Sequence, residues 1–229
     1  MKTLDLTQYD EPGLYLAMPD GERVVLTRAL IEEKTQAMLN DPELLPDEVR
    51  AATDYMPCDI CPERETAQIC HAIMTTLPFF DEIDRYMSYD RVTAIFRESD
   101  GSSLVIRDTT MQGALQYVSI LSLIYYCEVG RKYFSFFEGV NPLMPQVEIA
   151  DAVFRNMYLA CEGDLSILVD TLSTMQEELL QTTKCQVKRL QLISKRDAFL
   201  NAFVATESTT ELMLMQVEKM VSRLASRSG

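Results

Sequence analysis

Three thiols and the only histidine of the chain fall within one short segment, Cys58-Asp-Ile-Cys61-Pro62 followed by Cys70-His71. Whatever this chain folds into has to accommodate that concentration. Thiolate and imidazole are ligands of Zn²⁺, and a Cys-x₂-Cys turn supplies two sulphurs at a suitable bite while a more distant pair closes the tetrahedron. Cys58 and Cys61 make the turn, and Cys70 follows across a stretch expected to be helical. The fourth ligand is either His71 or a cysteine brought in by the fold. Adjacent residues of a helix point in different directions, so Cys70 and His71 are awkward ligands for one ion. That favours a remote thiol, and Cys127, at the end of the longest apolar stretch, is the best placed. The expected centre is therefore Zn²⁺ held by Cys58, Cys61, Cys70 and Cys127, with His71 as the alternative ligand. The bland reading is that these cysteines are buried small hydrophobes.

The same atoms admit a thiol-redox enzyme or sensor using Cys58 and Cys61. Such a site follows a strand and opens a helix, whereas the Pro- and acid-rich residues 41–57 carry no strand pattern. Asp59 and Glu63 beside the thiols also disfavour the thiolate. A further alternative is a metal-dependent hydrolase using His71. There is no Gly-x-Ser-x-Gly elbow, phosphate-binding loop or dinucleotide fingerprint to suggest another chemistry. Asp81, Glu82 and Asp84, like Glu177 and Glu178, read as solvated helix faces, since no Glu-x-x-His pair accompanies them.

Charge narrows the partners. A net charge of −14 on 229 residues repels phosphates, and the basic residues are scattered. Nucleic acid and anionic membrane surfaces are therefore unexpected partners. The apolar run from Ala114 to Cys127 is interrupted by Gln116, Ser119 and Ser122, and a spanning helix needs about twenty apolar residues. It reads as a buried core helix. The first ten residues have no apolar export region, so the six cysteines are expected as thiols in a reducing cytoplasm.

Patterning suggests an α+β protein. Leu14–Met18 and Arg23–Leu26 flank Asp20-Gly21, a pair suited to a tight hairpin turn. Arg91–Phe96 and Leu104–Ile106 flank Ser99–Ser102 in a second hairpin. Helices are expected over 28–40, 63–74, from a cap at Asp108 or Thr109 to about Cys127, and over 147–159, with loops over 41–47 and 130–145. Leu165, Leu168, Leu172, Met175 and Leu179 recur at three- and four-residue spacing, as do Leu200, Phe203, Leu214, Val217, Val221 and Leu224. Two such stripes suit a long antiparallel helical hairpin. Small β-hairpins should thus pack on a predominantly helical body. The expected regions are 1–54 (β-hairpin plus helix), 55–162 (the cysteine-containing core) and 163–229 (the C-terminal helical hairpin). Met213, Met215 and Met220 near the end suit a partner-binding face.

The order of landmarks resembles an uncharacterised family of bacterial proteins. They are Cys58 to Pro62, Cys70, Ser88-Tyr-Asp-Arg-Val92, Met111-Gln-Gly-Ala-Leu115, Cys127 and Arg196-Asp-Ala-Phe-Leu-Asn-Ala202. Compared with that pattern, His71 replaces a proline, Tyr126 and Glu128 flank Cys127 in place of glycine and proline, and Tyr133–Phe136 lacks a histidine. The resemblance implies the same cysteine set and architecture, and it supplies no activity. The expected function is a non-enzymatic regulatory or protein-interaction protein with a structural zinc site, meeting a protein partner or a second copy through its C-terminal helices.

Overall fold

The two hairpins join in one antiparallel sheet. The structure is a computed structural model that describes residues 9–41, 43, 45, 47–54, 58–65, 70–100 and 104–225. β1 (Gly13–Ala17) pairs with β2 (Arg23–Thr27), and β3 (Arg91–Arg97) with β4 (Leu104–Thr110). β1 also pairs with β3, placing Leu16 opposite Ala94, so the strand order is β2-β1-β3-β4. Gly21 takes the positive φ that the first turn requires, at 91°. Strand alternation then sends Leu14, Leu16, Val24, Leu26, Val92 and Ala94 into the main core.

Helices cover that face. Thr27 caps α1 (Arg28–Asn40) by accepting from the Leu30 amide. α2 (Asp47–Asp54) begins at the last residue of the stretch expected to be a loop. An acidic residue such as Asp47 suits the positive end of a helix, so the end of the linker is also a helix start. The helix expected over 63–74 is confined, among the described residues, to α3 (His71–Met74). Residues 58–64 instead form consecutive turns, with Cys61 N–H donating to the Cys58 carbonyl and Arg64 N–H to the Cys61 carbonyl. A 3₁₀ turn with Pro78 near its start (Leu77–Phe79) leads into α4 (Phe80–Ile83).

The long apolar helix has two parts. α5 (Met111–Ile120) is capped by Thr110, one residue beyond the expected cap, and continues as a π-helical segment, Leu121–Tyr126. That segment ends at Cys127, whose amide donates to the Ser122 carbonyl. π-helical turns are rare and cluster at functional sites. Part of the expected loop over 130–145 is a 3₁₀ helix, Gly130–Phe137. α6 (Gln146–Ala160) follows.

The C-terminal hairpin is α7 (Leu165–Ile193) and α8 (Ala198–Ala225). Asp164 caps α7 at the Ser166 and Ile167 amides. The connection between the helices is held by Asp84, whose carboxylate accepts from Ser194 Oγ and from the Lys195 and Arg196 amides. Phe199, Ala202 and Phe203 are buried in the same core cluster as the sheet, and Phe199 stacks on Phe80 at 5.8 Å. The fold is thus α+β, with a small sheet on a helical body. Among the described residues no helix is long and apolar enough to cross a membrane.

Candidate metal centre

The segment of tight turns, the cap of α3, the end of the π-helical segment and the middle of α7 meet at one place. Cys70 is the N-cap residue of α3, yet its side chain makes no cap bond to that helix. Its Sγ instead accepts a hydrogen bond from Gln186 Nε2 at 3.3 Å. Cys70 packs against the same small apolar cluster as Cys127. The Cys70 thiol also acts electrostatically on those of Cys58, Cys61 and Cys127, and Cys61 acts on Cys127. The four cysteines singled out from the sequence thus lie within electrostatic reach of Cys70. Among the described residues, no three sulphurs lie mutually within 4.8 Å, so the thiols gather without being drawn onto a single point.

Amide donors already face two of the sulphurs. Cys61 accepts from the Glu63 amide, and Cys127 accepts from the amides of Val129 and Gly130. N–H···S bonds of this kind stabilise thiolate over thiol. Burial opposes them. It pushes the Cys127 thiol up to about 11 and raises that of Cys61, despite the backbone bonds that pull each down. The wall around Cys127 is apolar, formed by Ala72, Val129, Ile60 and the Cys70 side chain. Ser122, at the start of the π-helical segment, ties it to α3 by donating to the Ala72 carbonyl at 2.7 Å.

Gly130 has a specific reason to be glycine. A Cβ built there would lie 1.7 Å from the Leu123 carbonyl oxygen and 2.8 Å from its carbon. Both are backbone atoms of the π-helical segment and cannot swing aside. Only a residue without a side chain lets the chain after Cys127 fold back closely enough to aim its amides at the sulphur.

A fifth cysteine, missed by sequence reasoning, completes the cluster. Cys185 of α7 is hydrogen-bonded to Cys58. The shared bond drives the two thiols apart in acidity. Cys58 is pushed up by Cys185 and by burial, whereas Cys185 is pulled down by Cys58 and then by the charges of Arg189 and Lys188. Arg189 is only 2% exposed, and its guanidinium also favours the thiolate forms of Cys58 and Cys61. Leu168, Leu172, Met175 and Leu179 form the apolar part of the buried stripe of α7, and Thr182, Gln186 and Arg189 continue it in polar form. Polar residues in the register of a buried stripe were the signal available in the sequence.

His71 follows Cys70 but lies with other partners. Its ring, Glu63 and Glu128 bring one ligand atom each to within 4.8 Å of one another. Of the other carboxylates, Asp84 serves the α7–α8 connection, while Glu178 meets Lys132 and Tyr133. Asp151 makes no ion pair with Arg155 among the described residues.

The chain matches a family described as a domain of unknown function (DUF6901) over residues 15–227, and it belongs to that family. No curated protein and no solved structure matched it.

Proposed function

We infer that the thiol cluster is a structural zinc centre held by Cys58, Cys61, Cys70 and Cys127, in a non-enzymatic regulatory or protein-interaction protein of the reducing cytoplasm. The observation that carries this reading is a group of thiols supplied with side-chain and backbone donors that favour their charged forms. Zn²⁺ bound by four thiolates is doubly negative. Arg189, 2% exposed, favours the thiolate forms of two of the proposed ligands.

The remaining donors fit the same picture. Ligand sulphurs of metal sites are held by second-shell hydrogen bonds that orient them and tune their charge. Gln186 serves Cys70, the Glu63 amide serves Cys61, and the Val129 and Gly130 amides serve Cys127. Cys185 is hydrogen-bonded to Cys58, whose S–H donates to it in the metal-free protein. The centre would tie together three segments, the 58–64 turns, the α3 cap and the end of the π-helical segment, which is what a structural site contributes.

The interaction role rests on the C-terminal helices. Ile167 and Leu192 on α7 and Val204 and Met215 on α8 are among the large apolar residues left exposed. A protein partner or a second copy of the chain would cover them.

Zinc analysis of protein purified without chelator, with thiol titration before and after metal removal, tests the centre. About one zinc per chain is expected, with four thiols protected until the metal is withdrawn. Less than roughly half a zinc with every thiol reactive contradicts it. A Cys58–Cys185 disulfide in freshly isolated protein would favour the thiol-redox reading, relocated from the Cys58/Cys61 pair.

A further inference from the structure

We propose that Glu63, His71 and Glu128 form a second cation site, back to back with the thiol cluster and suited to a Mn²⁺- or Fe²⁺-type divalent ion. Each member stands within two residues of a proposed thiol ligand: Glu63 after Cys61, His71 after Cys70 and Glu128 after Cys127. The segments that carry the thiols therefore carry these three side chains as well. Neighbouring residues cannot share an ion easily, but they can serve two ions on opposite sides of the same backbone.

The geometry is that of a three-ligand set. One atom from each side chain lies within 4.8 Å of the other two, a spread that leaves room for an ion between them. One imidazole and two carboxylates supply hard and borderline donors, the set preferred by Mn²⁺, Fe²⁺ and related ions over thiophilic ones. Glu63 and Glu128 are half-buried, whereas His71 is exposed, so the site faces solvent and keeps positions for water.

Electrostatics favours occupancy. Two carboxylates converge in a chain of net charge −14. Arg131 offsets part of the charge through its ion pair with Glu128. A doubly negative zinc–thiolate centre next door would deepen the local potential and draw a second cation. In that respect the inference leans on the zinc reading, although the three ligands stand independently of it.

Mn²⁺ binding to the full chain, followed by electron paramagnetic resonance and calorimetry, tests the proposal. The comparison is with His71→Ala and with the double variant Glu63→Gln, Glu128→Gln, with zinc content and thiol protection measured on every sample. One Mn²⁺ per chain is expected, weakened at least about tenfold in both variants while the thiol-bound zinc stays unchanged. No Mn²⁺ binding to the parent protein, or binding undiminished in the variants, overturns the proposal. Zinc without Mn²⁺ leaves the thiol centre standing alone, and Mn²⁺ without zinc leaves this site standing while the thiol reading fails. Zinc content also reports whether a variant has kept its fold.

Discussion

Gln186 Nε2 lies 3.3 Å from Cys70 Sγ, joining residues 116 apart in the chain. Gln186 is 1% exposed and sits on the buried stripe of α7. A buried amide aimed at a sulphur stabilises negative charge there more than it stabilises a thiol. Gln186→Leu keeps the volume and removes the donor. Zinc affinity, measured by competition with a chromophoric chelator, should fall about 10- to 100-fold. An unchanged affinity would place Gln186 outside the centre.

Proton release gives a second test. Burial raises the thiols of Cys61 and Cys127, and Cys185 together with burial raises that of Cys58, so all three hold their protons at neutral pH in the metal-free protein. Zinc binds thiolates, so those protons must leave as it binds. Calorimetry in buffers of different ionisation enthalpy should show at least about three protons released per zinc near pH 7. Affinity should rise with pH, because the thiols are raised and deprotonation then costs less.

Gly130→Ala probes the return of the chain after Cys127. The added methyl meets the Leu123 carbonyl, which belongs to the backbone of the π-helical segment. Overpacking against atoms that cannot move costs about 1–3 kcal/mol, and here the shift also carries the Val129 and Gly130 amides away from the Cys127 sulphur. The variant should unfold at lower urea concentration and bind zinc more weakly. The same substitution at Gly21, where no heavy atom lies within 4 Å of the new Cβ, meets no such wall and suffers only from its positive φ.

Asp197 should make the protein acid-sensitive. Its carboxylate accepts from the Ser88 amide and hydroxyl, both at 2.8 Å, and from the Asn201 side-chain amide at 3.0 Å. Partial burial works to raise its pKa, but the Ser88 and Asn201 bonds outweigh burial and hold it below the ordinary carboxylate value. A depressed pKa in the folded state contributes stability that is present above the unfolded value, about 3.9, and is lost as pH falls through the folded one. Asp197→Asn should therefore lose stability at pH 7 and show a shallower decline below about pH 4 than the parent. Urea midpoints across that range check it.

The hairpins were legible because Asp20-Gly21 and the alternating apolar residues each point to one local structure. Their merger through β1 and β3 was not, since Gly13–Ala17 and Arg91–Arg97 lie far apart in sequence and pair only in the fold. The stripe of α7 was legible down to Leu179. Beyond it, Thr182, Gln186 and Arg189 are polar and extend no apolar stripe, although helical register keeps them buried. The same blindness hid Cys185, because nothing in its spacing from Cys58 tells that α7 passes the turn. The position of Cys127 beside Cys70 could be anticipated, since the apolar helix ends there. His71 was harder. Only the folded backbone shows that it turns toward Glu63 and Glu128. α2 was not anticipated, because an acidic residue after a proline can end a linker or open the first turn of a helix.

Zinc on four sulphurs of this cluster is open to X-ray absorption at the zinc edge of protein purified without chelator. Four sulphur scatterers at about 2.3 Å, with no nitrogen or oxygen in the first shell, are expected. Protein without zinc, or zinc surrounded mainly by nitrogen and oxygen at about 2.0–2.1 Å, would contradict it.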